Sequence, residues 1–92
     1  MDELMVQACR EQGVGSVRVI FRRDRFYADA LPTRETAQNI AFQSLSQDGR
    51  TPRTLDEIQD AVLRAYDHVI ARGHGASSIE ALQQLLTCLR AK

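Results

Sequence analysis

The sequence predicts a small α+β domain in which one helix precedes a β-hairpin and three helices follow it, packed on one face of the hairpin. Residues 16–31 alternate between apolar and polar side chains, as strands do, whereas apolar residues elsewhere recur at helical spacing. Two capping boxes, Thr54 with Glu57 and Ser77 with Glu80, mark the beginnings of the last two helices. The length of 92 residues predicts one domain over residues 1–92.

A two-residue turn at Arg23 and Asp24 gives the hairpin a definite register. Such a turn favours positive φ at both positions, which Arg23 tolerates poorly, so a slightly longer loop is the alternative. The register pairs Phe21 with Phe26 and sorts the side chains onto two faces. The predicted core face holds Val17, Val19, Phe21, Phe26, Ala28 and Ala30. The predicted outward face holds Arg18, Ile20, Arg22, Arg25, Tyr27 and Asp29.

The first two helices are predicted over residues 2–12 and 34–46. Acidic residues at the start of the first helix suit the helix dipole, and Gly13 ends it. Thr33 is the expected N-cap of the second helix. Its predicted inner face is Ala37, Ile40, Ala41 and Leu45. Phe42 falls beside that face, where it is either a flank of the core or an exposed aromatic.

The third and fourth helices follow a solvated connection at residues 47–53, which is the best predicted site of proteolytic nicking. The third helix is expected to run to Arg72, where Gly73 stops it, and its wide apolar arc predicts more than one packing neighbour. The GHG sequence at 73–75 is then a turn between antiparallel helices. The predicted buried stripe of the fourth helix is Ile79, Leu82, Leu85, Leu86 and Leu89.

Charge and composition restrict the classes of partner. Twelve basic residues balance twelve acidic ones, so the whole molecule has no strong non-specific attraction to nucleic acid or to an anionic membrane. Within residues 16–31, however, four arginines outnumber two aspartates. No apolar run approaches the roughly 18 residues of a membrane span, and the acidic amino terminus does not resemble a signal peptide. With two cysteines that we expect to be reduced, the predicted location is cytoplasmic.

Residues with catalytic potential are few, so we expect no enzyme activity, cofactor or metal site. His74 lies between two glycines and His68 at the boundary of its helix, and both are expected to be surface residues. Cys9 and Cys88 lie on or beside apolar helix faces, where a thiol is more often packing than a nucleophile. A Cys9–His68 or Cys88–His74 dyad is the alternative, because catalytic partners are neighbours in space rather than in sequence.

The outward hairpin face is the predicted partner-binding site. Arginine and tyrosine are enriched at interface hot spots, because they combine planar cationic donors with rigid apolar area. The expected site residues are Arg18, Ile20, Arg22, Arg25 and Tyr27. The alternative is a solvated ribbon in which Arg18 and Asp29 form a cross-strand ion pair.

These features lead to three functional hypotheses. The leading one is a small non-enzymatic protein-interaction module, an adaptor or a free-standing inhibitor of a larger assembly, of which an inhibitor encoded by a phage or mobile element is one example. The alternative is nucleic-acid binding, in which the hairpin arginines contact phosphates and Tyr27 stacks on a base. The third is a homodimer. Its interface would be either the apolar surface to which Phe42, Leu63 and Ile70 contribute or a strand that a second copy adds to the sheet.

The hairpin and the segment TRETAQNIAFQSL resemble the second half of double-stranded-RNA-binding domains, in which an alanine-rich helix packs behind the sheet. The resemblance covers about a third of the chain and implies that the helix from Arg34 packs on the hairpin. The family's helix begins with a run of lysines where this chain has only Arg34. The sequence also predicts no third strand and adds two helices, so the chain is not assigned to that family.

Overall fold

The computed structural model describes residues 3–47 and 54–91, and within them it confirms the α+β class. Six of the seven predicted connection residues, 48–53, lie outside the described residues, so the predicted nicking site does too. The elements in chain order are α1 Glu3–Glu11, β1 Val14–Arg22, β2 Arg25–Pro32, α2 Arg34–Gln47, α3 Leu55–Ala65, β3 Ala71–Gly75 and α4 Ser78–Arg90. No helix among them is long and apolar enough to cross a bilayer.

The hairpin has the predicted register. Every pair from Val17 opposite Ala30 to Arg22 opposite Arg25 is confirmed. The turn has two residues, because Arg23 and Asp24 adopt φ of 53° and 62°, the positive values that a type I′ turn requires. Arg23 therefore accepts the left-handed conformation that its side chain disfavours, since this turn matches the twist of the strands.

A third strand, β3, replaces the predicted end of the third helix. The prediction that this helix reaches Arg72 is wrong, because α3 ends at Ala65. The amides of Asp67 and His68 each donate to a carbonyl three residues back, which tightens the last turn. The amide of Ile70 then donates to the carbonyl of Ala30 at 2.9 Å, and β3 continues antiparallel to β2.

The main core lies between the sheet and the helices α1 and α4. Small residues on the central strand allow α4 to approach closely: Ala28 and Ala30 are fully buried against Leu85 and Leu89. On β3, a Cβ at Gly73 would fall on the Ala81 carbonyl oxygen and the Leu85 amide nitrogen. The backbone of β3 therefore lies directly against the backbone of α4.

The helices α2 and α3 pack mainly against each other. Their contact is a second, smaller cluster centred on Ala37, Ala41 and Ala65. The three helices after the hairpin are thus divided: α4 makes extensive contact with the sheet, whereas α2 and α3 form a pair beside it. The molecule is correspondingly elongated, with extents of 45 × 29 × 18 Å.

This division corrects the packing implied by the double-stranded-RNA-binding resemblance. The alanine-rich helix α2 packs on α3 rather than behind the sheet, and a third strand is present. The predicted inner face of α2 is nevertheless right, because Ala37 and Ala41 are buried and Ile40 and Leu45 are half-buried.

The core-face prediction is right for the central strand and wrong for the second half of β1. Val19 is 42% exposed and Phe21 is 61% exposed, although both point to the helix side of the sheet. The reason is coverage: α4 packs over β2 and β3, and α1 adjoins only the start of β1. Replacement of Phe21 by alanine would therefore not leave a large buried cavity. Ile79, expected in the buried stripe of α4, is also exposed.

We expect Gly73→Ala to destabilise the protein by about 1 to 3 kcal/mol, the cost of overpacking a close contact. The added methyl group must displace the α4 backbone, which cannot rotate away as a long side chain would. Urea unfolding followed by circular dichroism measures the change. The matched control is Gly15→Ala, where the new Cβ would lie 3.0 Å from Thr33 Cα. Equal costs for the two variants would contradict the proposed β3–α4 contact.

Candidate functional site

The five predicted site residues lie together on the sheet face opposite α1 and α4, and β3 extends this face. Arg72 lies opposite Asp29, and His74 lies opposite Tyr27. No helix in the described part of the chain makes extensive contact with this side of the sheet. We name it the arginine face and define it as Arg18, Ile20, Arg22, Arg25, Tyr27, Arg72 and His74 around Asp29.

Asp29 is the buried centre of the arginine face, although the sequence predicted it as an outward residue. It lies on the central strand, directly between Arg18 of β1 and Arg72 of β3. Arg72 donates from Nε to Oδ1 at 2.5 Å and from Nη2 to Oδ2 at 3.0 Å. Arg18 donates from Nη2 to Oδ2 at 3.2 Å. The carboxylate is fully covered, while the two arginine side chains remain 45% and 49% exposed.

The charge of Asp29 is stabilised by these neighbours. Hydrogen bonds from Arg72 make the largest contribution to lowering the pKa of the Asp29 carboxyl below its ordinary value. Burial acts in the opposite direction, and Arg18 adds a further lowering of the pKa. The carboxylate therefore stays ionised and fixes two guanidinium groups by charge-assisted hydrogen bonds.

The remaining polar side chains form a connected layer above the sheet. The Arg72 guanidinium lies 5.4 Å from the centre of the Tyr27 ring, within the range of a cation–π contact. Arg25 Nη1 donates to His74 Nδ1 at 2.7 Å, an arrangement that places the histidine proton on Nε2. Ile20 and Tyr27 are half-buried, whereas Arg22 and Arg25 are exposed. The face therefore presents ordered donors and some apolar area to solvent.

Arg72 and His74 are the site residues that the sequence analysis missed. Their segment, ARGHG, alternates small residues at 71, 73 and 75 with polar residues at 72 and 74. This period of two is typical of a strand, and the β-branched Val69 and Ile70 precede it. The same glycines also fit a helix stop and a turn, because glycine is common just after the end of a helix, and this local pattern does not distinguish the two structures.

Neither of the alternative thiol–histidine dyads is formed among the described residues. The Cys88 thiol donates to the carbonyl oxygen of Arg72 at 3.8 Å, and His74 is bonded to Arg25. Cys9 is buried, and burial raises the pKa of its thiol, which keeps it in the less reactive protonated form. Within the described ranges, no group of three or more metal-ligating side chains is clustered.

A second exposed surface lies on the helix pair. A groove of about 490 Å³ runs between α2 and α3, and Phe42, Val62 and Leu63 are among its lining residues. Phe42 and Leu63 are exposed there, whereas Ile70 packs against the main core. Of the three residues expected to extend the apolar surface, two are thus exposed and Ile70 is partly buried.

No protein-family model matches the chain, and neither a curated protein sequence nor a solved structure shows significant similarity to it.

We expect Asp29→Asn to lower the free energy of unfolding at neutral pH by about 1 to 3 kcal/mol, because it weakens hydrogen bonds to a buried charge. The folded-state pKa of Asp29 lies below the ordinary value of 3.8, so its contribution is present above that pH and is lost as the pH falls through the lowered value. The loss of stability of the wild-type protein below about pH 4 should therefore be smaller in Asp29→Asn. Urea unfolding across a pH series measures both effects.

The matched control is Asp24→Asn, which changes an exposed carboxylate at the turn of the same hairpin. Asparagine also tolerates the positive φ at this position. This variant should retain the wild-type acid dependence. The same acid dependence in Asp29→Asn and the wild type would show that the ion pairs do not contribute as described.

Proposed function

We propose that this chain is a non-enzymatic protein-binding module, an adaptor or a free-standing inhibitor, and that its arginine face contacts an acidic surface of the partner. The observation that supports this most directly is the arrangement of Arg18, Asp29 and Arg72. Two arginines are held in place on the open side of the sheet while about half of each side chain stays accessible.

Ordered arginines favour binding because less conformational entropy is lost when a partner docks. A free arginine side chain loses roughly 2 kcal/mol of rotamer entropy on complete ordering. Asp29 already fixes Arg18 and Arg72 in the unbound protein, and His74 accepts a hydrogen bond from Arg25. The guanidinium groups retain further donors that can bind carboxylates.

The charge of the arginine face sets the chemistry of the proposed partner. The arginine face holds four arginines and one carboxylate, so it has a net charge of +3 with His74 neutral, although the whole chain is neutral. Ile20 and Tyr27 add half-buried apolar area between the charges. Aspartate and glutamate side chains around a small apolar patch would match this surface. The two free cysteines suit a reducing compartment, and we place the module in the cytoplasm.

Nucleic-acid binding is the second candidate, because β3 adds Arg72 and His74 to the cations of the hairpin. It ranks lower for two reasons. Tyr27, the aromatic ring of this face, is half-buried and has Arg72 over it, which limits base stacking. Asp29 also neutralises part of the charge at the centre, where a phosphate would bind.

We expect Arg22→Ala and Arg25→Ala to weaken partner binding by about 2 kcal/mol or more if they are hot-spot contacts. Their melting temperatures should stay near that of the wild type, because substitutions at exposed positions usually change stability by about 0.5 kcal/mol or less. The measurement is affinity capture by the immobilised full chain with quantitative mass spectrometry, in which wild type and variants are compared protein by protein. A partner with an acidic surface should be retained by the wild type and depleted by both variants.

The control for this experiment is Leu63→Ala, which changes the exposed groove of the helix pair and leaves the arginine face intact. It should retain the partner. Loss of the partner in Leu63→Ala, with normal capture by Arg22→Ala and Arg25→Ala, would assign binding to the helix pair instead.

The nucleic-acid candidate predicts a strong dependence on salt. Three or four phosphate contacts would give a clear fall in affinity between about 50 mM and physiological salt. Our proposal instead predicts no gel shift with single-stranded or double-stranded DNA or RNA at about 50 mM salt. A shift that disappears in Arg22→Ala and Arg25→Ala would favour nucleic-acid binding over the protein partner.

A further inference from the structure

The two edges of the sheet differ in how well they are protected. β3 is a five-residue strand with glycines at 73 and 75, and α4 lies against it. β1 is a nine-residue edge strand without proline, and no strand of the described chain pairs with its outer side. A long edge strand with unpaired backbone groups is a site where another strand can add.

The turn geometry identifies the free backbone groups of β1. In the type I′ turn, Arg22 and Arg25 form the hydrogen-bonded pair that closes the hairpin. Hydrogen-bonded and non-hydrogen-bonded pairs then alternate along an antiparallel ladder. The N–H and C=O groups of Val17, Val19 and Phe21 therefore point away from β2. These residues also carry the apolar side chains that the helices leave partly or largely exposed.

We propose that β1 pairs antiparallel with β1 of a second copy of this chain, about a two-fold axis at Val19, to form a six-stranded sheet. In this register Val19 lies opposite Val19 of the second copy, and Phe21 lies opposite its Val17. Arg18 lies opposite Ile20, and Arg22 opposite Ser16. This proposal does not depend on the function proposed for the arginine face.

Charge and strand length select this register from its neighbours. Moving the axis to Arg18 would place Arg18 directly opposite its own copy, and moving it to Ile20 would place Arg18 opposite Arg22. Like charges directly opposite each other destabilise a strand pair. The register at Val19 avoids both pairs and uses residues 16–22, the part of β1 after the irregularity between Val14 and Ser16.

The proposed register also brings an exposed aromatic side chain close to a recess beside β1. A recess of about 200 Å³ lies next to the start of the strand and is lined by residues that include Val6, Cys9 and Val14. The proposed register brings Phe21 of the second copy opposite Val17, beside this recess. The most exposed aromatic of the hairpin would therefore lie next to this recess, and the two-fold axis would repeat the contact.

Sedimentation equilibrium of the full chain tests the dimer. We expect a mass that approaches twice 10.3 kDa as concentration rises. Val19→Pro should return the mass to 10.3 kDa without unfolding the monomer, because proline removes an N–H that points away from β2. Val19→Lys, which places a charge at the edge, should do the same, and it is the variant to rely on if Val19→Pro does not fold by circular dichroism.

The control is Leu63→Lys, which places the same charge in the groove of the helix pair and should remain dimeric. A mass of 10.3 kDa for the wild type at all concentrations would overturn the proposal, as would a dimer that survives both Val19 variants. A dimer lost only in Leu63→Lys would place the interface on α2 and α3 and also overturn it.

A separate measurement tests the register in which the two β1 strands pair. In a mixture of isotope-labelled and unlabelled chains, an intermolecular nuclear Overhauser effect should connect the α protons of Arg18 and Ile20. These residues would form a non-hydrogen-bonded pair with Cα atoms about 4.5 Å apart. An Arg18–Arg18 or Arg18–Arg22 cross-peak instead would refute the axis at Val19. Partner capture by the arginine face can be tested independently of dimerisation in the Val19 variants, because Val19 lies on the opposite side of the sheet.

Discussion

The close contact between α4 and β3 is the constraint on which the arrangement of the molecule depends. Gly73 has no space for a side chain, because the backbone of α4 lies against it. This contact holds ARGHG, a segment with few apolar atoms, as a strand along β2. Once β3 is in place, the pleat directs Gly73 toward the helices and Arg72 and His74 to the opposite side. Packing on one side of the sheet therefore determines which charged groups the other side presents.

The side chains of the arginine face are ordered by an ion-pair cluster rather than by apolar burial. Asp29 is inaccessible to solvent, and Arg18 and Arg72 bond its carboxylate from the two neighbouring strands. Such a cluster adds little stability compared with an apolar core of the same volume, but breaking it is costly. It also penalises a change in strand register, since a shift of one residue would move Asp29 to the helix side. The strand alignment and the order of the surface arginines thus have a common origin.

A long connecting segment separates two strands that are adjacent in the sheet. β2 and β3 pair antiparallel, yet the whole of α2 and α3 lies between them in sequence. The two helices of this segment have their own hydrophobic cluster of Ala37, Ala41 and Ala65, whose small side chains allow the helices to approach closely. Larger apolar residues such as Phe42 and Leu63 remain on the outside of the pair. The main sheet and the helix pair consequently offer two separate surfaces with different chemistry, one cationic and one apolar.

The sequence by itself determined the α+β class, the hairpin register and the beginnings of α3 and α4, because these depend on local alternation, turn geometry and capping boxes. It also determined which hairpin residues share the arginine face, since side chains alternate along a strand whatever covers them. Only the tertiary structure decided the rest. Gly73 became part of a strand because a helix distant in sequence packs on it, and Asp29 became buried because Arg72 lies opposite it. Val19 and Phe21 remained exposed because neither α1 nor α4 extends over the second half of β1. Burial depends on which elements meet in space, and the local pattern does not contain that information.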